Sequence, residues 1–251
     1  MTGFVTLLQK ELLRFFKVSL QTILAPIVAT LLYLLIFFHV LSAHVEVYPD
    51  IAYTQFLIPG LIMMAIVQNA FANSSSSLIQ SKMSGNIVFV LLSPLSYQEI
   101  FFAYILASVV RGLVVGTGVL LITLFFFEIP LHYPQWAILF AVIGSSMLGA
   151  LGLLAGISAE KVDQMAAFQN FIILPLTLLS GVFYTVQSLP AIWQHFSQLN
   201  PFFYVIDGFR YGFLGVSEVS PYTSLFVVTI CFLLIALITI QVLKTGYKLR
   251  N

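Results

Sequence analysis

The chain has 251 residues, of which 60% are hydrophobic and 8% charged, and its formal net charge is +1. Soluble domains carry about 25% charged residues, so with a mean hydropathy of +1.05 this composition excludes a water-solvated fold. The near-neutral charge gives no reason to expect a nucleic-acid partner, and a lone cysteine, Cys231, excludes a disulfide framework.

In chain order, residues 1–18 precede the first apolar run. Lys10, Arg14 and Lys17 recur at i, i+4 and i+7 on one helical face, with Phe4, Leu8, Leu12 and Phe15 on another. This pattern predicts an amphipathic helix lying in the membrane interface. It is either a flank that fixes topology or a surface for a cytoplasmic partner. The following apolar run is too long for the core of a cleavable signal.

Six crossings are expected, at about Ser19–Leu41, Ala52–Leu78, Ile100–Phe127, Gln135–Ser158, Met165–Val186 and Tyr222–Leu243, since a crossing needs roughly 20 apolar residues. Crossings one to five occupy 19–186 and crossing six 222–243, within a single all-α membrane domain spanning 1–251. Between them, 187–215 is rich in aromatics but interrupted by Pro190, Asn200-Pro201 and Gly208. It is expected to form a re-entrant helical hairpin, because irregular backbone at membrane depth survives only where protein or a wet cavity covers it.

Loop charges orient the set. Lys10, Arg14, Lys17, Lys82, Lys161, Lys244, Lys248 and Arg250 fall on one side. His44, Glu46, Asp50, Glu128, His132, Asp207, Arg210 and Glu218 fall on the other. Both termini are therefore expected in the cytoplasm, with the aromatic cap facing outward.

Three crossings carry polar faces. The second has Asn69, Asn73, Ser76 and Gln80; the fifth Asn170, Thr177, Gly181 and Tyr184; the first Thr22, Pro26, Thr30 and Tyr33. Such groups avoid lipid. They either line a shared path or bond helix to helix. The third and fourth crossings instead carry Gly112-xxx-Gly116, Ser145-xxx-Gly149 and Gly152-xxx-Gly156, which let helix backbones approach closely. Arg111 lies inside the third crossing, where a charge is costly, and Glu99 is its candidate partner. Asp207 and Arg210, at i and i+3, are expected to pair locally.

The connection Lys82–Glu99 contains an apolar run, Ile87–Leu92, stopped by Ser93-Pro94. It either docks a partner or folds back on the bilayer. The chain contains no G-x-x-x-x-G-K-[ST] phosphate loop, no H-E-x-x-H and no paired carboxylates within a crossing. No cofactor, metal site or catalytic residue is expected, and energy for uphill movement would have to come from another chain. The alternative is a self-sufficient channel or a gradient-driven carrier.

The stretch Leu178–Gly215 carries Ser180, Gly181 and Tyr184, then Leu189-Pro190, then Leu199-Asn200-Pro201 and Arg210; the connection ends L-L-S-P-L-S over Leu91–Ser96. In these motifs, and along essentially its whole length, the chain resembles the permease subunits of ABC-2 type exporters. The resemblance implies a bacterial inner-membrane homodimer forming a path about a two-fold axis. Two separate ABC ATPase subunits would dock on the N-terminal helix and the connection, with Lys10, Arg14, Lys82, Gly85, Ser93, Pro94 and Glu99 in the coupling region. Thr30, Tyr33, Asn69, Asn73, Ser76, Asn170, Thr177 and Tyr184 would line the path. The cargo implied is amphiphilic: a drug, a lipid or a lipid-linked glycan.

Overall fold

The computed structural model describes residues 2–41, 47–48 and 51–248. His44, Glu46, Asp50 and Arg250, used above for topology, lie outside the described residues. The elements are α1 (Thr2–Lys17), α2 (Ser19–Leu41), α3 (Tyr53–Met83), α4 (Ile87–Leu92), α5 (Tyr97–Phe126), α6 (Pro134–Ser158), α7 (Val162–Phe168), α8 (Leu174–Leu178), α9 (Ala191–Leu199), α10 (Pro201–Leu214) and α11 (Pro221–Thr245). The all-α expectation is met among the described residues.

Local chemistry sets the helix ends. α6, α10 and α11 begin with proline, whose missing N–H is no loss in a first turn. Gly215 and Gly246 close α10 and α11 in the left-handed region, at φ 73° and 69°. Ser96 and Glu99 form a reciprocal capping box at the start of α5: Ser96 Oγ accepts from the Glu99 N–H at 3.2 Å, and Glu99 accepts from the Ser96 N–H at 2.8 Å. Glu99 is thereby committed to its own helix end and is not the partner of Arg111.

Among the described residues, five helices are long and apolar enough to cross a membrane: α2, α3, α5, α6 and α11. The expected crossing Met165–Val186 has a different form. α7, a π-helical segment Gln169–Ile173 and α8 run on as pieces of seven, five and five residues. The run stops at a turn where Gly181 takes φ +74°, short of the roughly 20 residues a full crossing needs. Residues 187–215 contain two helices, α9 and α10.

α3 is the central helix and is almost entirely enclosed, whereas α2 and α11 lie at the periphery with most of their apolar surface uncovered. Close approach depends on glycine. A Cβ on Gly152 would collide with the Phe71 carbonyl of α3, and one on Gly212 would sit 2.5 Å from the Ala137 N of α6. The small-residue motifs of the third and fourth crossings thus seat α5 and α6 on α3, with Gly112 and Gly116 against Ile66. Ser74 Oγ adds a polar tie, donating to the Gly149 carbonyl at 2.6 Å.

One end of the bundle gathers the basic residues. Lys82 donates to the carbonyls of Ile157 (2.8 Å) and Ala159 (2.6 Å), closing the last turn of α6. Lys248 reaches Glu160 at 3.0 Å, and that hydrogen-bonded ammonium holds the Glu160 carboxyl below its usual range.

The other end is held by Arg210. Its expected partner Asp207 is engaged elsewhere, accepting from the N–H groups of Glu218 (3.0 Å) and Val219 (3.1 Å). Arg210 instead donates to the Phe56 carbonyl at 3.3 Å and the Gly181 carbonyl at 2.7 Å, and lies 3.8 Å from the centroid of the Phe56 ring. The fixed fork of the guanidinium suits two diverging carbonyls better than an adjacent carboxylate on its own helix. Glu218 in turn accepts from the Val186 and Gln187 N–H groups.

Two substitutions test these joints. Gly152→Ala adds a methyl against backbone that cannot move aside, at a cost of about 2 kcal/mol; thermal melting in detergent should fall by several degrees, and less for Gly118→Ala, which meets only isoleucine side chains. Arg210→Met leaves two buried carbonyls without their donor, at a cost on the order of 3 kcal/mol. Arg210→Lys should recover little of that, because a single ammonium does not reproduce the fork.

Candidate functional site

Two concave regions stand out. The first follows the seam between α2 and α3. A cavity of about 650 Å³ is lined by Arg14 and Lys17 of α1, by Gln21, Thr22, Ala25 and Pro26 of α2, by Asn69, Ser76 and Gln80 of α3, and by Arg111 of α5. A second cavity of about 290 Å³ shares Ala25, Pro26 and Asn69 with it and continues along Thr30, Tyr33, Leu61, Met64 and Leu174. The polar face expected on the first crossing, Thr22, Pro26, Thr30 and Tyr33, lines this pair of cavities throughout. It meets Asn69, Ser76 and Gln80 from the second crossing.

The remaining path residues lie elsewhere. Asn73, on the same stripe, is fully buried behind the cavity. Arg14 Nη2 donates to its carbonyl at 2.8 Å and to its Oδ1 at 3.1 Å. Its own amide faces Ser108 Oγ at 3.4 Å. Asn73 thus joins α1, α3 and α5. Thr177 is fully buried and donates to the Ile173 carbonyl at the end of the preceding π-helical segment. Asn170 is exposed, and Tyr184 donates to the Leu178 carbonyl. Within one chain, none of these three lines the α2–α3 cavities.

Arg111 halfway along α5 is satisfied only in part. Its Nη2 donates to Asn69 Oδ1 at 3.2 Å, and the guanidinium stands 5.9 Å from the Phe15 ring centroid. Its Nε is buried with no hydrogen-bond partner. Arg14, by contrast, is anchored, reaching Glu11, Ser76 and Asn73. Sequence reasoning placed Arg14 on the partner-facing surface; the structure turns it into the bundle.

The second region is a groove of about 490 Å³ between α1 and α4, lined by Gly3, Thr6, Leu7, Lys10, Asn86, Phe89, Val90, Ser93 and Leu95. α4 presents apolar side chains outward: Phe89 is 74% exposed and Leu92 78%. Of the expected coupling residues, Lys10 and Ser93 line the groove, and Pro94 beside it keeps α4 from continuing, with Ser93 already extended. Gly85 stands in open space in the left-handed region at the turn into α4. Lys82 and Glu99 flank the connection, but both are committed to helix ends. The capping-box spacing at Ser96–Glu99 was the sequence signal for the latter.

The geometry assigns accessibility. In a Cys231→Ala background, Ser76→Cys and Gln80→Cys should label with water-soluble thiol reagents, whereas Asn73→Cys and Thr177→Cys should not. An anionic reagent should react about tenfold faster than a cationic one at the first two positions, because cations line that cavity. Equal rates at all four positions would remove the α2–α3 seam as a water-filled site.

Comparison with known proteins bears on both regions. A family profile described as ABC-2 type transporter matches residues 2–214. Among similar proteins, the inner membrane transport permease YadH of Escherichia coli K12 is 36% identical over 242 residues, covering 96% of this chain and 94% of that protein. The probable multidrug ABC transporter permease YbhR of the same organism is 28% identical over 163 residues, covering 63% of this chain and 44% of YbhR. Nodulation protein J of Rhizobium meliloti is 22% identical over 219 residues, covering 85% and 82%.

Proposed function

Because this chain belongs to the ABC-2 type transporter family, we propose that it is the membrane-spanning permease of an exporter driven by separate ATPase subunits. The family membership makes it a transport component of an ABC transporter in the inner membrane, with no catalytic role of its own. The finer reading is ours. Two copies pair, both termini face the cytoplasm, and an amphiphile leaves outward past α9 and α10.

The observation that carries this reading is α4. A six-residue helix with Phe89 and Leu92 bare, seated beside an apolar groove at the basic end of the bundle, has no cover among the described residues. Basic residues mark the cytoplasmic side, and an uncovered apolar patch in water marks a partner contact. The sequence offers no phosphate loop, so a partner that binds there and hydrolyses ATP would supply the energy. α4 also lies on the connection out of α3, so a push on it reaches the helix around which the bundle is packed.

In this reading the short run α7–α8 is the fifth crossing. Its deficit in length is made up by the turn at Gly181 and by α9 and α10, which form the outward re-entrant hairpin. The uncovered apolar flanks of the bundle would meet lipid and the second copy. An amphiphilic cargo suits the α2–α3 seam, which is polar and basic at one end and lined by Leu61, Met64 and Leu174 at the other. The multidrug designation of YbhR is consistent with such a cargo.

Substituting Phe89→Asp or Leu92→Asp puts a charge on the bare surface of α4 without touching the core. Folding in detergent should be unchanged. Copurification of an ATP-binding subunit, or the dependence of its hydrolysis on this chain, should fall by at least about tenfold, as expected for losing a central apolar contact. Flux from reconstituted chains alone, undisturbed by either substitution, would point instead to a self-sufficient channel or carrier.

A further inference from the structure

The basic chamber at the end of the α2–α3 seam is built for a ligand of a particular charge. Arg14, Lys17 and Arg111 line it together with the neutral polar side chains of Gln21, Thr22, Asn69, Ser76 and Gln80, and among the described residues no carboxylate lines it. Glu11 is fully buried behind it and already paired with Lys10 at 3.3 Å and Arg14 at 3.4 Å. Lys17 is exposed and forms no ion pair among the described residues. Arg111 keeps a buried Nε without an acceptor.

A cation halfway along a membrane helix is expensive unless compensated, and here its polar partner is Asn69, with the like charge of Arg14 on the same cavity wall. The chamber therefore has unspent donors and a surplus of positive charge. Guanidinium groups suit the oxygens of phosphate in particular. The adjoining 290 Å³ cavity, with Ala29, Leu61, Met64, Ala65 and Leu174 in its wall, offers an apolar continuation in the direction of the membrane.

We propose that this chamber binds the phosphate-class headgroup of an anionic amphiphile, with Arg111 and Lys17 as the headgroup ligands and the α2–α3 furrow receiving the start of its tail. Arg14 acts as a positioning residue, holding α1 against Asn73 and Ser76 so that the chamber keeps its shape. The proposal rests on the reading of the α2–α3 seam as the cargo site, and it narrows that cargo from any amphiphile to one with an anionic head.

The test is binding, measured without the ATPase so that it stands apart from transport. The intact chain, reconstituted in phosphatidylcholine nanodiscs, is titrated with phosphatidic acid, with extra phosphatidylcholine, and with inorganic phosphate or pyrophosphate, reading the thermal melting midpoint. Phosphatidic acid should raise the midpoint saturably; the zwitterionic lipid should not. Apparent affinity should fall about tenfold in Arg111→Gln and in Lys17→Gln. It should be unaltered in Lys161→Gln, which removes an exposed cation outside the chamber, and should return in part in Arg111→Lys. Lys17 lies at the exposed rim, so its variant reports even where Arg111→Gln is unstable. Equal stabilisation of all variants by phosphatidic acid, or none of the wild type, overturns the proposal. Inorganic phosphate acting as strongly as the lipid overturns the amphiphile and leaves a soluble anion. If binding behaves as stated while Phe89→Asp leaves hydrolysis coupled, the headgroup site stands and the exporter reading fails.

Discussion

A polar group in lipid has no water to turn to, so its partner must be protein. That constraint falls hardest on α3, which carries Asn69, Asn73 and the serines 74–77 through the middle of the bundle. The structure meets it at Ser74, Asn73 and Asn69. Ser74 bonds the backbone of α6, Asn73 receives Arg14 from α1 and faces Ser108 on α5, and Asn69 receives Arg111. Helices α1, α5 and α6 are therefore held against α3 by polar ties as well as by the glycine seams. Where these ties leave donors over, at Arg111 Nε and Lys17, the bundle opens a cavity. The polar stripe thus both fixes the fold and locates the site.

The same constraint shapes the opposite end. Two short helices and two turns leave several backbone groups without helical partners, and buried side chains take them up. Arg210 takes the carbonyls of Phe56 and Gly181, Asp207 the amides of Glu218 and Val219, Glu218 those of Val186 and Gln187. Asn200 caps α10 through the Phe202 N–H and reaches back to the Leu176 carbonyl. Charged residues at i and i+3 read from sequence as a local pair, but a pair would leave those backbone groups bare. The chain uses its few charges on main chain that irregular structure has exposed.

Periodicity made a good part of this legible. Thr22, Pro26, Thr30 and Tyr33 recur at helical spacing, and all four line the seam. Asn69, Ser76 and Gln80 do the same from the facing helix, and the glycine motifs lie where helices touch. Asn73 escaped because its stripe says which way it points, not what arrives there; only docking of α1 decides that Arg14 covers it. The broken form of Met165–Val186 was not legible because an apolarity window cannot see where a helix yields to a π segment and a turn at Gly181. Lys82 was read by its charge, and its charge does mark the basic end, but its geometry serves the last carbonyls of α6.

These features converge on how a signal from α4 would travel. α4 follows the end of α3 through the turn at Gly85, whose positive φ places an articulation between them. α1 is tied to α3 at Asn73 and Ser76 and flanks the groove beside α4 through Lys10 and Leu7. A load applied at the groove therefore reaches α3 by two routes, one covalent and one through Arg14. Both arrive beside Ser76 and Gln80, at the wall of the basic chamber. The contact surface and the chamber share a helix and a clamp, so movement of α1 relative to α3 cannot leave the position of the cations unchanged. Under the proposed headgroup site, that shared clamp would give the permease a mechanical means of releasing an anion from Arg111 and Lys17.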